Sequence, residues 1–198
     1  LKVMEENECR TLIFSSSATI YGISSNTKID ENCEILPINP YGKTKATVEK
    51  ILHDLFHCSI KRWKISNLRY FNPIGAHETA YIGELPNGSP DNLLPYVAQT
   101  ASGQRDLLTV FGTDYNTKDG TCIRDYIHVV DLAKAHVKAL KITSKKNLKA
   151  EPVNLGTGTG YSVKEVLETF EKENNIKVNT HYGNRRKGDI ESIYADPS

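Results

Sequence analysis

Short apolar runs alternate along this chain with longer amphipathic stretches at the spacing of strand–helix–strand units. That alternation restricts it to an α/β fold on a mostly parallel sheet. Thr11-Leu12-Ile13-Phe14 reads as a buried strand that ends in a polar loop at Ser15-Ser16-Ser17. Residues 24–40, rich in Ser, Asn, Glu and Pro, read as loop. Pro40 suits a first helical turn and opens a helix of about 18 residues, with Val48, Ile51, Leu52 and Leu55 forming the expected buried stripe. Residues 63–71 are the next strand. Residues 72–90 hold Gly75, Gly83 and Gly88 and several prolines, and loops of this length are uncommon unless functional. A helix over 93–102 is closed by Gly103. Strands over 107–112 and 122–129 read as hairpin-like, separated by a turn at Asp119-Gly120. Asp131 is expected to cap the following helix, with Ala133, Val137 and Leu140 inward. A strand follows at 152–155. Ser162-Val163-Lys164-Glu165 is a capping box opening a helix whose face is Val163, Val166, Leu167 and Phe170. Residues 177–183 read as the last strand and 184–188 as a basic loop. The polar stretch 72–92 is the natural boundary between a regular βα part and a mixed part.

Composition narrows the function. Among 198 residues, 25 Lys and Arg face 24 Asp and Glu, a net charge of +1, which disfavours a nucleic-acid binder that must neutralise many phosphates. No apolar run is long enough for a membrane span. Cys9, Cys33, Cys58 and Cys122 lack zinc or redox spacing and read as free buried thiols in a reducing, cytoplasmic compartment. The chain opens on Leu1 rather than Met, inside a helix-like stretch, and so reads as a fragment.

The chemistry centres on Tyr41-Gly42-Lys43-Thr44-Lys45. Tyr41 and Lys45 stand four residues apart at a helix start and share one face. A free phenol, with a pKa of about 10, is a poor base at neutral pH. An ammonium roughly 4 Å away, at an effective dielectric of about 20, favours the phenolate by about 4 kcal/mol. Lys45 is therefore a physical reason for Tyr41 to act as general acid and base. Ser17, at a strand end, is placed to bond the same substrate hydroxyl. In an open parallel sheet, ligands bind beyond the carboxyl ends of the strands, where these elements meet.

At this level of detail the chain resembles the UDP-glucose 4-epimerase family of extended short-chain dehydrogenases/reductases. The matching runs are Ser15-Ser16-Ser17-Ala18-Thr19-Ile20-Tyr21-Gly22, Pro40-Tyr41-Gly42-Lys43-Thr44-Lys45 and Leu68-Arg69-Tyr70-Phe71-Asn72-Pro73 with Ile74-Gly75-Ala76-His77. Further on come Asp91-Asn92-Leu93-Leu94-Pro95-Tyr96, then 119–129 around Arg124-Asp125-Tyr126-Ile127-His128, and Asn184-Arg185-Arg186-Lys187-Gly188-Asp189. The resemblance covers nearly the whole chain.

It implies a Rossmann-type, doubly wound parallel sheet, truncated here, with a smaller mixed α/β substrate domain. Residues 1–72 would be the C-terminal part of an NAD-binding domain. Residues 73–198 would mostly bind the UDP-sugar, with a strand and helix around 122–144 returning to the first sheet. The implied reaction passes the sugar's 4-hydride to NAD while Tyr41 takes the 4-hydroxyl proton. The 4-keto sugar then turns over, and hydride returns to its other face. Ser17 would assist the proton. Lys45 would also hold the nicotinamide ribose, with Ser15, Ser16, Ser17, Tyr41, Tyr70 and Phe71 around the cofactor. UDP-glucose or UDP-galactose would be held by Ser17, Asn72, Asn92, Leu93, Phe111, Arg124, Tyr126, Arg186 and Asp189. Ile193 would lie near the hexose, where its intermediate size leaves N-acetyl sugars open. The resemblance also implies a homodimer, and residue spacing gives no reason to expect a metal. The family's Gly-x-x-Gly-x-x-Gly cofactor loop is absent, so the activity is expected of a longer parent and this piece alone is expected to be inactive.

Two related readings are weaker. A 4,6-dehydratase usually carries an Asp-Glu pair after the Ser/Thr, and here Ala18 and Thr19 stand there. A nucleotide-sugar sensor has no use for an activated base. Other motifs are set aside. Gly156-Thr157-Gly158-Thr159-Gly160 lacks fingerprint spacing and reads as a structural or substrate-side turn. His53-Asp54-Leu55-Phe56-His57 has Asp where a zinc protease has Glu, and no third ligand. His77 and His128 show no metal spacing. Lys141, Lys145, Lys146 and Lys149 read as a solvated helix end.

Overall fold

The structure, a computed structural model, describes residues 1–22, 28–58, 63–145 and 151–197. Lys146 and Lys149 lie outside the described residues. In chain order the elements are α1 (Lys2–Glu6), β1 (Thr11–Ser17), a 3-10 turn (Ala18–Tyr21), β2 (Lys28–Ile29), α2 (Pro40–Cys58), β3 (Lys64–Tyr70), β4 (Asn72–Ile74), α3 (Leu93–Ala101) and β5 (Leu108–Phe111). They continue with β6 (Ile123–His128), α4 (Val129–Lys145), β7 (Pro152–Leu155), β8 (Gly160–Ser162), α5 (Val163–Asn174), β9 (Thr180–Gly183) and β10 (Ser192–Ala195).

Three parallel strands, in the order β1-β3-β7, form the first sheet. The serines expected as loop belong to β1: the ladder continues through Ser15–Leu68, Ser16–Arg69 and Ser17–Tyr70. A polar run can stay in the strand because its backbone remains paired and Ser16 finds a buried acceptor in Glu49. Alternation along the strands sends Leu12, Phe14 and Ile65 to one face, where Leu52, Val48, Leu55 and Phe56 of α2 cover them. The opposite face receives α4, through the Tyr70–His136 hydrogen bond at 2.7 Å and the Lys64 ammonium on the Ser144 carbonyl. The sheet is therefore covered on both sides.

The helix faces differ in part from the apolar pattern. Ile51 is 50% exposed, and the buried line of α2 runs through Gly42, Glu49 and Leu52. Glu49 holds an inward position because an ion pair satisfies it there. On α4, Val137 and Leu140 are about half exposed and Ala133 is exposed, whereas Leu132 and Thr143 are buried. His136, bonded to Tyr70, sets which side faces the sheet. Asp131 is not the cap. The helix starts two residues earlier, and His128 Nδ1 accepts the Val130 N–H at 3.2 Å in its place. The Ser162–Glu165 capping box forms as expected.

A second sheet has the order β2-β10-β6-β4, with β8 antiparallel to β6. β5 pairs with β9 in a parallel two-stranded sheet, so β5 and β6 are not a hairpin. β10 follows the expected last strand, and β2, β4 and β8 are too short to stand out in a pattern. The segment expected to return to the first sheet divides: α4 packs there, β6 joins the second sheet, and β7 supplies the added strand. All four cysteines are free, but Cys9 and Cys58 are exposed rather than buried. Among the described residues no helix is long and apolar enough to cross a membrane.

The Gly156–Gly160 run wraps a carboxylate of its own chain. Asp125, fully buried, accepts from the Thr157 N–H at 2.8 Å, the Thr157 hydroxyl at 2.7 Å, the Gly158 N–H at 2.9 Å and the Ala195 N–H at 3.1 Å. A Cβ on Gly156 would stand 2.4 Å from Asp125 Oδ2, so only glycine lets the loop close on it. These N–H groups are committed internally, which makes the turn structural.

Candidate active site

The start of α2 lies over the carboxyl end of β1. Asn39 Oδ1 accepts the Gly42 N–H at 2.8 Å, and Pro40 occupies the first turn. Tyr41 is 55% exposed. The Lys45 ammonium donates to the Ser15 carbonyl at 2.8 Å and stands 5.4 Å from the centre of the Tyr41 ring. Helix spacing thus brings the cation beside the phenol, and the Ser15 carbonyl holds it there. Ser17 is buried at the strand end, its Oγ accepting the Thr19 N–H at 3.2 Å and sharing a 2.9 Å hydrogen bond with the Thr19 hydroxyl.

α2 approaches this corner closely. A Cβ on Gly42 would meet the Thr19 carbonyl oxygen at 2.8 Å and Pro37 Cβ at 3.0 Å. Gly42→Ala is expected to destabilise the protein by about 1–3 kcal/mol through forced displacement of the helix start. Chemical denaturation measures it, and an unchanged midpoint would contradict the close approach.

Tyr70 lies beside them. Burial pushes its phenol up, the nearby Tyr41 adds to this, and a hydrogen bond from the Ser15 side opposes it. His136 Nδ1 faces the Leu132 carbonyl at 2.9 Å and so carries the proton, leaving Nε2 to accept from the Tyr70 hydroxyl. Ser16 faces the other way, its hydroxyl committed to Glu49. Phe71 and Ile193 are buried together with Ala18, Ile20, Tyr21, Ile29 and Ala195.

A cavity of about 320 Å³ opens between β4, α3, β5 and β6. Asn72, Asn92, Leu93, Phe111, Arg124, Tyr126, Arg186 and Asp189 all line it, although they come from stretches far apart in sequence. Ile193 does not line it, but pairs with Arg124 across β10 and β6. The Arg186 guanidinium bonds Asp189 at 2.9 and 3.2 Å and lies 5.0 Å from the centre of the Phe111 ring. Arg124 donates to the Ile123 carbonyl at 2.8 Å. Burial pushes the Tyr126 phenol up to about 12, which keeps it a neutral donor at neutral pH. Two guanidiniums beside an aromatic ring suit an anion carrying a flat ring, and the volume is within the ordinary range for small-molecule sites.

One cluster escaped the sequence reading. Glu49 and Arg69 form an ion pair with side chains only 7% and 4% exposed. Arg69 Nη1 also donates to the Tyr21 hydroxyl at 2.8 Å, and that hydroxyl donates to Asn154 Oδ1 at 2.7 Å. The available signal was a glutamate in line with Gly42, Lys45 and Leu52 on a helix. His53 and His57 have ring centres 4.3 Å apart, and among the described residues no third side chain joins them to hold a metal.

A parallel sheet covered on both faces, with a tyrosine–lysine pair over a strand end and a cavity beside it, defines a Rossmann-like α/β protein of the short-chain dehydrogenase/reductase kind. The model of the NAD dependent epimerase/dehydratase family matches residues 1–156. The chain is 51% identical to the UDP-glucose 4-epimerase of Bacillus subtilis over 100% of its own length and 58% of that protein's. It is 51% identical to UDP-glucose 4-epimerase 2 of Arabidopsis thaliana over 98% of its length and 55% of that protein's. A crystal structure of the Stenotrophomonas maltophila UDP-glucose-4-epimerase with bound NAD and formylated UDP-arabinopyranose superposes with a TM-score of 0.94 at 45% identity, covering 98% of this chain and 57% of that one. The Bifidobacterium longum enzyme in complex with NAD+ and UDP gives 0.90 at 46% identity, covering 98% and 58%. The chain belongs to the NAD dependent epimerase/dehydratase family. It spans a little over half the length of these relatives.

Proposed function

We propose that a polypeptide of the relatives' full length carrying this chain interconverts UDP-glucose and UDP-galactose by inverting C4, with NAD as cofactor, as part of galactose metabolism. The observation that carries the reading is the convergence of residues from Asn72 to Asp189 on one cavity, whose wall starts at Asn72, two residues past the Tyr70 that lies beside Tyr41.

Tyr41 takes the proton of the 4-hydroxyl and gives it back, and Lys45 stabilises the charge that develops on the phenol oxygen. Ser17 bonds the same hydroxyl. Arg124 and Arg186 hold the diphosphate, Asp189 accepts from ribose hydroxyls, and the wall of Asn72, Asn92, Leu93, Phe111 and Tyr126 encloses the rest of the nucleotide. On this reading Ile193, in β10 beside β6 and buried with Phe71, lies near the hexose without lining the nucleotide cavity. Firm hold on the nucleotide leaves the sugar free to turn. The residues present suit the nicotinamide end of a dinucleotide. Lys45 uses one N–H on Ser15, and its others suit a ribose; Ser15, Ser17, Tyr70 and Phe71 bound the same corner, with Ser16 supporting it through the backbone. When bound, NAD supplies reversible oxidation at C4. The pyrophosphate must be held elsewhere, since the chain's glycine run is closed on Asp125. The division into a cofactor part over 1–72 and a mostly substrate-binding part over 73–198 belongs to the same reading, as do a homodimer and a cytoplasmic location. It involves no metal, membrane or nucleic acid.

Incubation of the full-length protein with UDP-galactose and NAD tests it. UDP-glucose is expected. A stable 4-keto-6-deoxy product would mark a dehydratase, and binding without turnover a sensor; either overturns the reading. Arg186→Ala is expected to weaken UDP binding roughly 10- to 100-fold, the loss of a charge-assisted pair of hydrogen bonds. Calorimetric titration with UDP checks this, and unchanged affinity would remove Arg186 from the site.

A further inference from the structure

α2 meets β1 along Lys45, Glu49 and Leu52, and its Gly42 meets Thr19 in the turn that follows. At the inner end Leu52 packs with Leu12, Phe14 and Ile65. Such apolar contact is non-directional and tolerates small slips of a helix along a strand. Between this patch and the catalytic corner sits the buried Glu49–Arg69 pair. Arg69 Nε lies 3.0 and 3.2 Å from the two Glu49 oxygens and Nη2 lies 2.6 Å from one of them. The Ser16 hydroxyl donates to the same carboxylate. Ser16 stands between Ser15, whose carbonyl holds Lys45, and Ser17. Glu49 follows Lys45 by one helical turn. A single carboxylate therefore ties the helix bearing Tyr41 and Lys45 to the strand bearing Ser15 and Ser17, by bonds that are directional where the apolar contacts are not.

From this geometry we infer that the Glu49–Arg69 pair is a positioning device for the acid–base group, fixing the depth of α2 on β1 and with it the spacing of Tyr41, Lys45 and Ser17. Its kinetic consequence rests on the epimerase reading; its structural consequence does not. Stability and positioning make different predictions. Replacing a buried ion pair by apolar side chains of similar volume is often neutral or stabilising, whereas removing one partner strands a charge. A pair kept only for stability could be exchanged for Leu and Met without loss of rate. A positioning pair could not, because misplacement of about 1 Å costs up to about 100-fold in turnover.

The test compares Glu49→Gln and the double variant Glu49→Leu/Arg69→Met with the unaltered full-length protein, by steady-state kinetics, thermal melts and crystal structures. The double variant is expected to melt within a few degrees of the parent, the Ser16 hydroxyl and one side of the Tyr21 hydroxyl losing a partner, with kcat down roughly 30-fold, KM within about threefold, and the 2.8 Å contact of Lys45 with the Ser15 carbonyl broken. Glu49→Gln is expected to lower kcat in the same sense and covers the case in which the double variant does not fold. A folded variant with unaltered kcat and an intact Lys45–Ser15 contact would overturn the inference. If the unaltered protein fails to interconvert the sugars, the functional reading fails, and the inference is decided by the crystallographic contact alone.

Discussion

Tyr41→Phe, made in the full-length protein, is expected to lower the rate of sugar interconversion about 1,000-fold, within the range for loss of a positioned acid–base group. UDP affinity should be unchanged, because the nucleotide cavity is lined by other residues. Stability should also be unchanged, because the Tyr41 side chain is more than half exposed and the substitution removes a single oxygen. This combination separates chemistry from folding and from binding. Initial rates, UDP titration and a thermal melt of the same preparation provide the three readings. A rate within a few-fold of the parent would mean that some other group handles the hydroxyl proton.

Asp125→Ala should have the opposite profile, with its main effect on folding. The carboxylate is fully buried and collects the N–H groups of Thr157, Gly158 and Ala195 and the hydroxyl of Thr157. Its removal takes the shared acceptor from these donors, the buried Ala195 N–H among them, and opens a void between β6, β10 and the glycine turn. The expected cost is about 3–5 kcal/mol, which for a chain of 198 residues lowers the melting midpoint by roughly 10 °C. Asp125→Asn should be milder, since its amide oxygen still accepts while its NH2 faces donors. Equilibrium denaturation of the parent and both variants checks the order. A stable Asp125→Ala protein would mean that the turn has other acceptors.

Local rules made much of this legible in the sequence. Four-residue spacing was enough to place Lys45 beside Tyr41, and Ser162 with Glu165 announced the start of α5. Inward faces were harder to read. Apolar periodicity put Ile51, Val137 and Leu140 inside, because it assumes that buried positions are apolar. The fold instead buries Glu49 against Arg69 and turns His136 toward Tyr70, so polar partners far away in sequence choose the face. The glycine run read rightly as a turn, but the same limit hid the partner it closes on. Its fingerprint-like look comes from closing on an anion, and that anion is Asp125 rather than a ligand. Strand pairing was the least legible feature. β5 and β6 follow one another along the chain, yet β5 finds β9 and β6 finds β4, β8 and β10, a choice made by long-range packing. Assembly of the cavity from Asn72 through Asp189 is likewise invisible to spacing and became an expectation only through family resemblance.

On the proposed reading, Tyr41 moves the hydroxyl proton, while the hydrogen bound to C4 is handed to the cofactor and back without exchanging with water. UDP-galactose deuterated at C4, incubated in ordinary water with NAD and the full-length protein, tests this directly by mass spectrometry of the product. The account predicts UDP-glucose that keeps its deuterium. Product that has exchanged the label with water, or no UDP-glucose at all, would contradict it.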